Sequence, residues 1–554
     1  MSHGGESLQE RIKEILYGYV GVRSDTNSAC EKSVDDFFRA WFAQVPYFKD
    51  HPELCGLYPI PDDDIGRSVP WALRKGSGDE TIVMIHHCDC VETSDYSGLE
   101  KVCLKPDALA KAFKDDGEEL PPDIEADLDS GEWLFGRGVA DMKGGGSIEL
   151  ALMEKYCREA DFKGNIIVMA LPDEENLSAG MRGACYLLHD LQKKHGLKYV
   201  LMLNTEPHER TTPAAPLLYD GSVGKIMPVI YVRGKVAHVG QVYTGLNPIN
   251  LLAEIVRRTE LNPAFIEKSG NTVSPPSTWL YSKDRKTVYD VSLPMDAVGY
   301  MSILPLEKTP KAIMDEVKEI CAESFVSVLK DMNASYEIYL KANALPVEKL
   351  PFRTNVKFFA ELYEEALRDS GQQFVDYYTQ VYAKVKEQWI KKELAIIDGV
   401  NQLIAATLKH VKDPWPMVVI ALSPPYYPSV NNMHLTGAVT EKAAAAIGEI
   451  RKYAKDEFKQ DYGVKNYYTG ISDLSYAMFS SDESNIDYIK NNMLLWGTIY
   501  SIPLELIREL SMPVVNIGPW GKDFHKYTER VLKDDVYRVT PALVDKMVRT
   551  VLGS

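Results

Sequence analysis

Three things are missing from this chain, and each removes a class of function. No apolar run approaches the roughly 20 residues needed to cross a bilayer, and the opening Met1-Ser-His-Gly-Gly-Glu-Ser7 has no basic stretch followed by an apolar one, so neither a membrane span nor a secretory leader is expected. Surplus positive charge is absent too. With 62 Lys and Arg against 79 Asp and Glu, the formal charge of −17 disfavours nucleic acid and anionic membrane surfaces, both of which recruit basic patches. The eight cysteines contain no Cys-x-x-Cys pair, which argues against a disulfide framework or a thiolate zinc knuckle. The expectation is a cytoplasmic protein with reduced thiols and no nucleic-acid or membrane partner.

What is present is a series of apolar strands that end in ligand-type residues. At 554 residues the chain is too long for one core, so two or more domains are expected. Amphipathic helices open it, over residues 8–19 and 34–45, with apolar residues at helical spacing. Thr81-Ile-Val-Met-Ile then runs into His86-His87-Cys-Asp89, and the period of two puts His87 and Asp89 on one strand face and His86, Cys88 and Cys90 on the other. Asn165 to Leu171 runs into Asp173-Glu174-Glu175, Tyr199 to Leu203 into Glu206-Pro207, and Pro513 to Ile517 toward His525. Gly136-Arg-Gly-Val-Ala-Asp141-Met-Lys-Gly-Gly-Gly146 places one carboxylate between a short strand and a glycine-opened helix. The β-α-β-α rhythm with fully apolar strands predicts an α/β fold with a mostly parallel or mixed sheet covered on both faces, and such sheets carry their sites at the C-terminal strand ends.

After Asp220 the pattern changes. Strands over 224–232, 277–282, 288–303 and 335–340, with helices over 248–258 and 310–329, give the β-α-β-β-α-β order of a split-βαβ sandwich. A long helical stretch follows to Asp413-Pro-Trp-Pro416, and Met417-Val-Val-Ile-Ala-Leu422 then reads as a strand of the first kind. The expected division is therefore 1–220 and 417–554 as one catalytic domain, 221–345 as an inserted α+β lid, and 346–416 as a helical insertion attached to it.

A hydrolytic two-metal site needs one carboxylate shared by both ions and about two further nitrogen or oxygen ligands for each. His87, Asp141, Glu175, Glu206 and His525 supply such a set, and donors without thiolate suit zinc, with cobalt or manganese as substitutes. The Glu174-Glu175 pair divides naturally into one metal ligand and one proton acceptor. Asp89 is placed to hydrogen-bond the His87 imidazole and set its tautomer. An Asp-Glu-Glu turn or a lone histidine is usually a solvated loop, but five such donors arriving together at equivalent places make that reading improbable for the set.

Together with Gly470-Ile-Ser-Asp473 and Gly518-Pro-x-Gly521, these motifs resemble those of the aminoacylase/carboxypeptidase family of dinuclear zinc metallohydrolases, the acetylornithine deacetylase and succinyl-diaminopimelate desuccinylase type. The length and the helical insertion are most similar to its bacterial arginine-utilisation (RocB-like) branch. The resemblance implies a zinc-exopeptidase-like catalytic domain, a ferredoxin-like lid, and two zinc ions bridged by Asp141. His87 and Glu206 would complete one ion, Glu175 and His525 the other, with Glu174 as general base. His238, in Gly234-Lys-Val-Ala-His-Val-Gly240, is similar to the lid histidine that such enzymes present to the substrate carbonyl. The implied activity is hydrolysis of a peptide or N-acyl amino acid by a zinc-bound hydroxide that Glu174 activates, and a homodimer through the lid is left open. The lid strand over 298–304 lacks the arginine with which many relatives hold an α-carboxylate. A non-catalytic, metal-stabilised binding or regulatory protein is the alternative, and a purely structural metal site would have no use for Glu174 and Asp89.

Overall fold

A computed structural model describes residues 7–115, 120–210, 212 and 215–554. The chain divides into two compact units, one of Met1–Val223, Pro428–Ser480 and Ile502–Ser554, the other of Gly224–Tyr427 and Ser481–Ser501.

The first unit is built on an eight-stranded mixed sheet, in the order Cys55–Pro59, Ser68–Lys75, Lys163–Leu171, Ser77–His87, Lys198–Asn204, Val514–Asn516, Leu217–Tyr219 and Gly463–Lys465. Its middle is parallel: Ser77–His87 pairs in parallel with Lys163–Leu171 and Lys198–Asn204, and the latter with Val514–Asn516. Four C-terminal strand ends therefore lie side by side. The helix Lys143–Cys157 is buried along its length except at Lys155 and Cys157, so that its polar residues Lys143, Ser147, Glu149 and Glu154 are buried with the apolar ones. Ile148, Leu150, Leu152 and Met153 are fully buried, worth about 1.5–3 kcal/mol each, and they anchor the helix that begins two residues after Asp141. The helix Leu8–Val20 packs against it, opened by a capping box of Ser7 and Glu10 and burying Ile12, Ile15, Leu16, Tyr19 and Val20.

A second, three-stranded sheet brings the chain ends of the site together. The hairpin Gly521–Lys522 and Arg530–Leu532 is antiparallel, and its second strand pairs with Trp133–Phe135. The loop that carries His525 is thereby tied to the strand that leads to Asp141.

The second unit has a five-stranded sheet, ordered Thr278–Asp284, Asp296–Ser302, Pro228–Arg233, Met417–Leu422 and Val356–Phe358. The helices Phe359–Ser370, Gln372–Ile390 and Ile396–Leu408 cover the face that carries Val229, Tyr231, Met417 and Val419. Pro248–Thr259 and Pro310–Ala342 pack together and against the sheet. Two expectations change here. Residues 335–340 are the last turns of the 33-residue helix Pro310–Ala342 rather than a strand, because Ser-Tyr-Glu-Ile-Tyr-Leu fits either period and the preceding helix simply continues. Met417–Leu422, expected to resume the first unit, pairs antiparallel with Pro228–Arg233 instead. It supplies the sheet position expected of 335–340, and the return to the first unit comes at Pro428. A strand buried on both faces carries no pattern that says which sheet it joins.

Among the described residues no helix is long and apolar enough to cross a membrane.

Candidate metal centre

His87, Asp141, Glu175, Glu206 and His525 all lie in the first unit and converge. His87 Nε2 lies 2.8 Å from Asp141 Oδ1 and 3.8 Å from Glu206 Oε1. His525 Nε2 lies 3.2 Å from Asp141 Oδ2 and 2.8 Å from Glu175 Oε1. Donor atoms of His87, Asp141 and Glu206 all fall within 4.8 Å of one another, and so do those of Asp141, Glu175 and His525. The two sets share only Asp141, which turns one carboxylate oxygen to each. A third such set, His87, Glu174 and Glu175, also exists, so proximity alone does not separate the roles of the adjacent glutamates.

The electrostatics of the cluster favour cations. Burial pushes Glu206 and Glu174 well above the usual carboxylate range; His87 opposes this, while neighbouring carboxylates, Asp473 among them, add to it. Glu175 is raised by burial and by Asp141, against the pull of His525. For Asp141 burial acts upward, but its bonds to His525 and His87 prevail and hold it low. His525 is pushed up to about 10 by its bonds to Asp141 and Glu175. For His87 burial acts downward and is outweighed by Glu206, Asp141 and Asp89, so its proton is held well above the ordinary range. Asp141, Glu174, Glu175, Glu206 and Asp473 thus crowd around two imidazoles, and the upward shifts of all but Asp141 record how poorly the site tolerates so many ionised carboxylates without further positive charge. Buried carboxylates in this state call for cations. Nitrogen and oxygen donors, one bridging carboxylate and no thiolate fit two divalent ions.

Local structure aims these groups. Asp173 and His525 both sit at positive φ, 71° and 64°, a region that costs a side-chain-bearing residue about 1 kcal/mol or more. Asp173 is held there by bonds from the Arg67 guanidinium, Asn176 Nδ2 and the Ala179 N–H. Arg67 also pairs with Asp63 and Glu31, so the N-terminal segment braces the turn carrying Glu174 and Glu175.

Asp89 differs from expectation. The His87 Nδ1–H donates to the Asp89 backbone carbonyl at 3.0 Å, while the Asp89 carboxylate is 3.7 Å away, beyond hydrogen-bond range. That carboxylate instead accepts from the N–H groups of Glu174 and Glu175 and from the Thr26 hydroxyl. Asp89 therefore sets the His87 tautomer through its main chain and the glutamate turn through its side chain. A strand's alternation predicts the face of a side chain but not which atom of the residue makes the bond. His86 points away from the centre, as alternation requires, toward Glu149.

Glu529 and the partners of Arg137 escaped sequence reasoning. Glu529 Oε1 accepts from the N–H groups of Ala140 and Asp141, both at 3.1 Å, and Oε2 accepts from Arg137 at 3.0 Å. Arg137 also pairs with Asp95. Glu529 is pushed up to about 7 by burial, which Arg137 opposes and Asp141 reinforces. The pair clamps the Asp141 loop to the segment four residues beyond His525. Arg137 stands in the Gly-Arg-Gly motif, but nothing local to Glu529 marks it. Asp473, the last residue of the Gly470-Ile-Ser-Asp473 motif, is 3 % exposed and pushed up to about 7, chiefly by burial.

His238 lies in the second unit, exposed, before the short turn Val239–Thr244, and its Nδ1 accepts from the Gly240 N–H at 3.1 Å.

The family model described as peptidase family M20/M25/M40 matches residues 115–476. The Bacillus subtilis protein YqjN is 29% identical over 547 residues, 98% of this chain and 97% of that protein. Protein RocB of the same organism is 29% identical over 554 residues, 98% and 95%. Among solved structures, an M20 family metallo-carboxypeptidase from Sulfolobus solfataricus superposes with a TM-score of 0.53 at 11% identity, covering 98% of this chain and 99% of that one.

Proposed function

Because the chain belongs to peptidase family M20/M25/M40, we propose that it is a metal-dependent amide hydrolase acting on a short peptide or N-acyl amino acid, with two divalent cations, zinc by choice of donors. The observation that carries the reading is the single carboxylate, Asp141, standing between two otherwise separate donor sets. In this reading His87, Asp141 and Glu206 hold one ion and Asp141, Glu175 and His525 the other. When bound, the ions supply Lewis-acid polarisation of the amide carbonyl and lower the pKa of water.

The chain's own residues do the rest. Glu174, whose N–H is fixed by Asp89 and whose carboxyl burial pushes up, takes a proton from the attacking water and returns it to the leaving amine. His238 supplies a hydrogen bond to the carbonyl oxygen as charge develops on it. With Nδ1 accepting from Gly240, its neutral ring carries the proton on Nε2, the form needed for a donor. His238→Ala should lower turnover by ~10²–10³ without changing bound metal, and equal turnover would remove it from the mechanism.

The cytoplasm is the location we assign, where the eight unpaired cysteines stay reduced. In this scheme the first unit is the catalytic domain and the second unit is the lid. Association through the lid's edge strand Thr278–Asp284 is the dimer this reading allows, and light scattering decides it. The test of the function is a hydrolysis screen of zinc-loaded protein over N-acyl amino acids and dipeptides. Failure on every member, with two ions bound, would leave a metal-binding protein without this activity.

A further inference from the structure

The glycines after Asp141 raise a question that metal binding does not answer, since glycine inside a helix costs about 1 kcal/mol relative to alanine. The neighbours supply a reason. A Cβ on Gly145 would stand 2.3 Å from the Thr205 carbonyl oxygen and 2.5 Å from its hydroxyl, and one on Gly146 would stand 2.4 Å from the His86 ring. The helix is therefore pressed directly onto the residues that immediately precede Glu206 and His87. One turn on, four residues from Gly145 and three from Gly146, the same helix face carries Glu149. Its Oε1 accepts from the Thr205 hydroxyl at 2.9 Å, and its Oε2 lies 2.8 Å from His86 Nδ1. On the other side of the ring the Tyr19 hydroxyl lies 3.3 Å from Nε2. Tyr19, His86, Glu149 and Thr205 are all fully buried.

An ionised carboxylate only accepts, so His86 Nδ1 donates to Glu149. Glu149 has no part in the chemistry proposed above, and His86 projects from the opposite strand face to His87. What the arrangement does is join three segments. Glu149 stands on the helix that follows Asp141, Thr205 is bonded to Glu206, and His86 is bonded to His87.

We infer that Glu149 is a positioning residue that, through His86 and Thr205, locks the segments bearing His87, Asp141 and Glu206 into one unit and thereby sets the affinity of the cation those three hold. The inference rests on the two-ion reading above. Glu149→Gln turns one acceptor into an NH₂ group facing a donor. Thr205→Val removes one hydroxyl at nearly constant volume, and Thr205→Ser keeps it.

The test is competition between a chromogenic chelator and full-length protein for zinc, run on wild type and the three variants, alongside thermal unfolding of each after metal removal. Glu149→Gln and Thr205→Val should weaken one of the two zinc ions, the one that His87, Asp141 and Glu206 hold, by ~10–100-fold, the usual effect of removing a partner that orients ligands. The other zinc should change little, and Thr205→Ser should behave as wild type. If the variants bind zinc as wild type does while only their unfolding temperature falls, the network is merely structural and the inference is wrong. It is equally wrong if Thr205→Ser fails as Thr205→Val does, a comparison that stands even if Glu149→Gln does not fold. If wild type itself binds no zinc, the two-ion reading fails first and takes the inference with it.

Discussion

The two halves of the donor set share one chemistry and are supported differently. His87 and Glu206 stand at or just beyond the ends of adjacent parallel strands, with side chains 1% and 5% exposed. Glu175 and His525 stand on loops, and the His525 side chain is 49% exposed at the tip of a hairpin. The first half gains rigidity and low dielectric, in which charge interactions are strong. The second is exposed at one ligand only: the His525 imidazole meets solvent, while the Glu175 side chain is 10% exposed. One carboxylate, Asp141, thus joins a fully buried pair of donors to a pair that includes a half-exposed imidazole.

The largest effect is expected at the shared residue. Asp141→Ala removes a ligand from both halves, so bound zinc should fall from two ions per chain toward none and amide hydrolysis to background, read by elemental analysis and rate; retention of two ions would mean that Asp141 does not bridge. Next in size is the division within the glutamate pair. Glu174→Gln should keep both ions and lower turnover by ~10²–10⁴, whereas Glu175→Gln should lose the His525-side ion first and activity with it. The reverse pattern would exchange the two roles, an exchange that the third donor set of His87, Glu174 and Glu175 makes worth testing.

The asymmetry itself is sharpened by stepwise chelation. The ion on the His525 side should leave first, with an affinity lower by ~10-fold or more, and His525→Ala should abolish that step alone. Loss of the buried ion first would overturn the comparison. The smallest effect is in protons. In metal-free protein His525 is protonated at pH 7, because its carboxylate neighbours raise it to about 10, and a ligand must give up that proton. Zinc affinity should therefore rise with pH through the neutral range, by up to ~10-fold per unit for each proton displaced. Calorimetry in two buffers of different ionisation enthalpy should find fewer protons released by His525→Ala than by wild type. An unchanged count would show that this imidazole is not a ligand.

Much of the centre was legible because its signals are local. An apolar run ending in His87, in Asp173-Glu-Glu175 or just short of Glu206 is visible in a few residues, and the period of two assigned His86 and His87 to opposite faces. Asp89 shows where that stops: the same alternation placed it beside His87, yet its carboxylate serves the Glu174-Glu175 turn. Met417–Leu422 is a second instance, a strand recognised as a strand and assigned to the wrong sheet.

By itself, then, the order of residues determined which side chains could be ligands, that they would sit beyond apolar strands, and that an α/β unit would be interrupted by another. Only tertiary structure decided that the His525 hairpin pairs with the strand before Asp141, that Arg137 and Glu529 clamp those two loops, and that Glu149 reaches both Thr205 and His86. The physical reason is that periodicity and turn chemistry act over a few residues. Which distant segments pair is settled by the burial and hydrogen-bond partners the whole fold can offer them, and no short stretch of sequence records that choice.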